Sequence, residues 1–152
     1  RVTISRRLPL RPLSRLGLAA SFNLPGALSS LSFILDRYSG AQRTLSIIAW
    51  VDSDNQWRYW SSAGAYVLLT PAINLAALAT LFHTVKFVID PSTGNYVSLL
   101  IDNATFDLSG IGAQVTTDAT LPHLLVQVRL NGNLGVNSTA YIDDAIITAN
   151  EP

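Results

Sequence analysis

The chain has 152 residues, no cysteine and no methionine, which suits one domain with a real core and excludes disulfides and thiolate metal sites. Hydrophobic residues make up 49% and charged residues only 13%, against about 25% charged in ordinary soluble domains. Either a large core wears an uncharged polar surface, or much of the surface is buried against copies of the chain or a partner.

Arg1–Leu8 reads as a strand, with Val2, Ile4 and Leu8 apolar between polar residues, and Pro9 and Pro12 end it. Residues 1–15 thus form a basic extended strand or arm: Arg1, Arg6, Arg7, Arg11 and Arg15 are five of the ten basic residues, and no acid precedes Asp36. Such a segment suits an acidic body or neighbour. No aromatic lies among the arginines to stack on bases, which disfavours nucleic acid. A chain that opens on Arg1 without Met is expected to be a processed or trimmed product.

Leu16–Asn23 is a second strand, and Pro25-Gly26 a turn. Leu31–Tyr38 is a third, closed by Ser39-Gly40. Arg43–Val51 is long and rich in β-formers, and Asp52-Ser53-Asp54-Asn55 is turn chemistry. Gln56–Ser61 and Ala65–Leu69 follow as a meander. "PAINLAALAT" (71–80) is the one helix-like piece, expected to be a loop or single short turn; no apolar run reaches the length of a membrane span. Phe82–Ile89, Tyr96–Ile101 and Thr105–Leu108 form a second meander. Residues 109–121 read as a polar loop, and Leu124–Asn131 and Thr139–Thr148 are the last strands. Period-two patterning, about eleven strands and little or no helix predict an all-β chain, a two-sheet antiparallel jelly-roll sandwich in one domain spanning 1–152.

The stretch "HTVKFVIDPSTGNYVSLLIDNATFDLSG" (83–110) and the ending "STAYIDDAIIT" (138–148) resemble the hairpin and final strand of concanavalin A-like, laminin-G-like jelly rolls, most of all uncharacterised ones of prokaryotes and their phages. The resemblance covers residues 13–150 and rests on structural motifs, so it implies fold more than function. Related folds serve in glycan binding, glycan hydrolysis, adhesion and virion structure.

Catalysis is disfavoured. Glycan-cleaving members of the superfamily typically use a Glu-x-Asp-x-x-Glu arrangement, since one carboxylic acid must protonate the leaving oxygen while another carboxylate acts as nucleophile or base. Here Glu151 is the sole glutamate. Asp143 and Asp144 are neighbours on a strand and so are expected on opposite faces. Asp90, Asp102 and Asp107 flank hairpin ends and read as turn caps. His83 and His123 read as strand starts, with no metal spacing. No cofactor is expected. Asp52 and Asp54 supply oxygens at alternate positions, as calcium loops do, but a plain turn is favoured. Asn103-Ala104-Thr105 and Asn137-Ser138-Thr139 are glycosylation sequons.

Besides a bland reading as a spacer domain of a larger extracellular enzyme, two functions remain. The first is a non-catalytic structural or assembly module on a virion or cell surface, packing on itself or on neighbouring subunits, with Arg6, Arg7 and Arg11 reaching acidic patches. The second is a carbohydrate-binding module that stacks a glycan on the aromatics near residues 50–60. The stretch "DNQWRYW" (54–60) bears on both. A four-residue turn at 52–55 pairs Val51 with Gln56 and Trp50 with Trp57. One face then carries Ile48, Trp50, Trp57 and Tyr59; the other carries Leu45, Ile47, Ala49, Val51, Arg58 and Trp60. A sandwich core covers one face only. Arg58 and Trp60 are the pair that something else must cover, and the candidate ligand- or partner-binding residues are Trp50, Arg58 and Trp60 with Arg6, Arg7 and Arg11.

Overall fold

The computed structural model describes residues 1–9, 14–26, 28–71, 75 and 81–151. Arg11 and Pro12, and residues 72–74 and 76–80 of the expected loop or turn, lie outside the described residues.

The described residues form twelve strands in chain order: β1 (Val2–Pro9), β2 (Leu16–Asn23), β3 (Leu28–Tyr38), β4 (Gln42–Val51), β5 (Gln56–Trp60), β6 (Tyr66–Leu68), β7 (His83–Asp90), β8 (Asn95–Ile101), β9 (Ala104–Asp107), β10 (Gln114–Thr117), β11 (His123–Gly132) and β12 (Tyr141–Ala149). Among the described residues there is no helix, and so none long and apolar enough to cross a membrane. The strands form two antiparallel sheets, ordered β1-β11-β3-β4-β5-β6 with β10 also on β4, and β12-β2-β7-β8-β9.

The twelfth strand is β10, inside the segment expected to be a polar loop. Its sequence, QVTT, has no buried face of its own, so no periodicity announces it. It pairs with Gln42–Leu45, while β5 pairs with Ile48–Val51. Since β3 holds the opposite edge of β4, β10 and β5 share one edge end to end. Within the basic N-terminal segment, Val2–Pro9 form an edge strand, paired residue for residue with Leu130–His123 of β11.

Alternation decides what is buried. Leu31, Phe33 and Leu35 of β3, Ile48 and Trp50 of β4, and Leu124, Val126 and Val128 of β11 face Leu16, Leu18, Ala20 and Phe22 of β2 and Val85, Phe87 and Ile89 of β7 in one core. At its centre Trp57 is fully buried, its ring 6.4 Å from Phe33 and 6.0 Å from Phe22. Truncating an aromatic at this position costs about 3–5 kcal/mol.

Two bulges interrupt the alternation. In β8 the register shifts, so that Val88 opposes Ser98 and Ile89 opposes Tyr96. The extra residue, Val97, lets Tyr96 and Leu99 both point into the core despite their odd spacing. In β12 the register shifts between Asp143 and Ile146, and Asp144 takes a φ of 48°. That bulge corrects the expectation of regular alternation at Asp143-Asp144: an aspartate tolerates the left-handed conformation, and the two acids lie on an irregular, exposed stretch. The sequons place Asn103 in the exposed turn between β8 and β9, and Asn137 in the exposed loop before β12.

Candidate functional site

Cross-strand partners share a face, so the outer surface of the larger sheet can be read in rows. One row runs Thr3, Arg129, Ser32, Ala49, Arg58, Leu68, across six strands. The next holds Ser5, Gln127, Ile34 and Ile47, and Trp60 with its partner Tyr66 packs at its end. A third holds Arg7, Leu125, Asp36, Leu45 and Gln114.

The centre of this face is small or apolar and the flanks are long. Ile34, Ile47 and Ala49 form a second buried cluster, with Leu45 and Trp60 packed against it. Ser32 and Ala49 are only 2% and 1% exposed, so the longer side chains beside them take the solvent. Arg129 and Arg58 stand on either side of that pair, three strands apart, or roughly 14 Å by sheet spacing.

Several polar groups on this face are oriented by neighbours. Arg58 forms a two-pronged salt bridge to Asp54 of the preceding turn, through Nη1 at 3.2 Å and through Nη2. The Arg58 guanidinium in turn holds the Asp54 carboxyl below its usual range. Arg43 donates to both oxygens of the buried Asp36, at 2.8 Å each, and the Tyr38 hydroxyl donates to Asp36 at 3.2 Å. Burial, then the neighbouring Asp36, raises the Tyr38 pKa. Arg129 donates from Nη2 to Gln127 at 3.3 Å, and among the described residues its buried Nε has no partner. Burial, with Arg1 nearby, lowers its pKa.

The aromatic end is built by three strands and a turn. The Tyr66 ring meets Trp60 edge-on, centroids 4.8 Å apart, and Tyr66 is 44% exposed. The Trp60 indole donates to Gln114 Oε1 at 2.9 Å. Gly64 makes room for that amide, since a Cβ there would lie 2.5 Å from Gln114 Nε2. The backbone carbonyl of Trp60 accepts the Tyr96 hydroxyl from across the core, at 2.9 Å.

The residues expected to bind a ligand or partner do not form one site. The hairpin pairing is as expected, Val51 with Gln56 and Trp50 with Trp57, and it puts Trp50 on the core side. Trp50 is 6% exposed, its indole N–H held by Asn55 Oδ1 at 2.9 Å, so it does not share a surface with Arg58 and Trp60. Arg7 lies on the outer face at the far edge, and Arg6 lines the opening between the sheets. Asp54, offered as a calcium ligand with Asp52, is occupied by Arg58, and among the described residues no three His, Asp or Glu side chains gather as a metal site. Asp90 and Asp107 cap their own turns, accepting Ser92 N–H and Ser109 N–H at 2.8 Å each. His83 opens β7 with Nδ1 2.9 Å from Asp102, and His123 opens β11 stacked on Tyr38 at 4.4 Å.

Tyr66, Gln114, Arg129 and the Asp36–Arg43 pair complete the face, and none was a sequence candidate. Tyr66 was within reach, because the short turn at 61–65 sets it opposite Trp60. Arg129 and Gln114 arrive by long-range pairing that no local pattern encodes.

No protein-family model matches the sequence, and no curated protein matches it. Among solved structures the fold is similar to a tetrameric galectin from the ball sponge Cinachyrella sp., with a TM-score of 0.61 and 13% identity over 97% of this chain and 100% of that one. It is similar to a Bacillus licheniformis β-glucanase, with a TM-score of 0.57 and 14% identity over 97% of this chain and 71% of that one. A sialidase matches with a TM-score of 0.54 and 9% identity over 97% of this chain, which spans only 14% of that protein. With its two antiparallel sheets, the chain has the concanavalin A-like jelly-roll fold.

Proposed function

We propose that this domain binds carbohydrate, without cleaving it, on the outer face of its seven-stranded sheet. One observation carries the reading: exposed Tyr66, the edge-packed Trp60 and the oriented fork of Arg58 lie on one hairpin, next to a buried centre of Ile34, Ile47 and Ala49 and across from Arg129. Aromatic faces suit the apolar faces of sugar rings, and fixed polar groups suit their hydroxyls. Two of the similar folds bear the names galectin and β-glucanase, but at 13% and 14% identity they speak for the fold. The case for sugar rests on this chain's own side chains. The acids near these rows support a reading without cleavage: Asp36 and Asp54 are each bridged to an arginine, whereas glycoside hydrolysis needs a pair of carboxyls placed on the scissile bond.

A glycan array followed by calorimetry on the best hit tests the reading. Tyr66→Ala and Arg58→Ala each weaken binding by at least about tenfold, or ~1.4 kcal/mol, with the fold retained by circular dichroism. An array without hits, or affinities that neither variant moves, overturns it.

A second reading is a structural module packed on other subunits. It is favoured by the low charge and by apolar side chains exposed on the outermost strands, Val2 and Ile4 of β1 and Tyr141 and Ile146 of β12. Either role fits an extracellular setting or the surface of a cell or virion.

A further inference from the structure

The two sheets end on the same side of the sandwich in edges of opposite charge. β1 closes the larger sheet and β12 the smaller, each with one backbone edge unpaired among the described residues. Between them opens a cavity of about 320 Å³, lined by Ile4 and Arg6 of β1, Val126 and Val128 of β11, Leu18 of β2 and Ile147 of β12. Val2 and Ile4 of β1 are 62% and 58% exposed, and Tyr141 and Ile146 of β12 are 57% and 52% exposed. β1 carries Arg6 and Arg7, with Arg1 at its start and no acid; β12 carries Asp143 and Asp144 and no base. None of these five charges forms an ion pair among the described residues. Long edge strands in natural proteins are normally shortened, charged against pairing or covered.

We propose that a second copy of the chain docks on this edge, β1 of each protomer lying against β12 of the other. The charges select that arrangement. Two kinds of two-fold axis bring this side of one sandwich against the same side of another. An axis normal to the sheets sets β1 against β1 and β12 against β12, so arginines meet arginines and aspartates meet aspartates. An axis along the strands sets the larger sheet of one copy beside the smaller sheet of the other. Arg6 and Arg7 then meet Asp143 and Asp144 twice over, and the two apolar openings close on each other. The attraction steers encounter and opposes the like-with-like alternative, and the apolar side chains supply the burial. This surface is remote from Tyr66 and Arg58 and requires no sugar.

Sedimentation over a concentration series tests the proposal. In low salt the wild-type protein shows a monomer–dimer equilibrium, and high salt raises its dissociation constant by at least about tenfold by screening the ion pairs. Arg6→Glu/Arg7→Glu is a monomer. So is Asp143→Lys/Asp144→Asn, in which asparagine suits the left-handed backbone at position 144. Mixing the two variants restores a dimer, because each opposed pair of edges is again of opposite sign. Wild-type protein that stays monomeric overturns the proposal. So does a dimer that neither salt nor charge reversal weakens, and so does a mixture that fails to associate. Should the β12 variant fail to fold, the salt series and the β1 variant still decide.

Discussion

One hydroxyl on the far sheet holds the backbone under Trp60. Tyr96 Oη accepts the Ile47 N–H at 2.8 Å and faces the carbonyls of Trp60 at 2.9 Å and Ile47 at 3.2 Å. It fills the gap on the edge of β4 that β5 and β10 leave between them. Its single proton serves the nearer carbonyl of Trp60 best. Burial raises its pKa, so it remains a donor in any ordinary buffer. Tyr96→Phe keeps the ring but leaves the Ile47 N–H and the Trp60 carbonyl without their partner. The expected cost is about 2–3 kcal/mol, measured as a lower urea midpoint at unchanged m. A loss under about 0.5 kcal/mol would mean that water or a strand shift replaces the hydroxyl. This anchor was hidden in the sequence for a physical reason. Tyr96 reaches the core side only because Val97 is bulged out, and a strict period of two beginning at Leu99 would point Tyr96 outward.

At the scale of the element, the β5–β6 hairpin depends on what its turn excludes. Gly64 has a φ of 74°, and an added Cβ would meet the Gln114 amide, which is bonded to Trp60. Gly64→Ala therefore suffers two separable effects. Left-handed strain costs about 1 kcal/mol, and the displaced Gln114 side chain releases the indole. A double-mutant cycle with Gln114→Ala separates them. The strain persists in the double variant while the clash vanishes, giving a coupling of roughly 0.5–1 kcal/mol in chemical denaturation. Strict additivity would show that Gln114 simply moves aside. Elements of this kind mark the limit of what the sequence could tell. The hairpin of β4 and β5 was readable to the residue because four polar turn residues fix its register, and the register sorts Trp57 from Trp60. β10 was not readable. Four residues with one apolar side chain earn their strand conformation from the edge of β4, far earlier in the chain, rather than from their own pattern. The same holds for Arg129. Its own strand was recognised, but only pairing with β3 places it beside Ser32, and so across from Arg58.

For the molecule as a whole, electrostatics sets the response to acid. Five carboxylates are held below their ordinary range: Asp54 by the Arg58 fork, Asp90 by the Ser92 hydroxyl, Asp107 by the Ser109 N–H, Asp118 by the Thr120 hydroxyl, and Glu151 by the Thr148 hydroxyl and the Lys86 ammonium. A group whose folded pKa is depressed adds stability that is fully present above its unfolded pKa and is lost as pH falls through the folded one. Unfolded aspartate and glutamate titrate near ~3.9 and ~4.3. Stability contributed by these groups is thus level above about pH 5 and declines below about pH 4, as each acid takes up its proton more readily unfolded than folded. Glu151 isolates one contribution, because its carboxylate lies 2.9 Å from Lys86 Nζ and ties the end of the chain to β7. Glu151→Gln lowers the melting temperature at pH 7, where the wild-type group is ionised, and leaves it nearly unchanged at pH 2, where both side chains are neutral. The wild-type and variant curves of melting temperature against pH therefore converge on the acid side. Curves that stay parallel down to pH 2 would show that the carboxylate acts by shape rather than by charge.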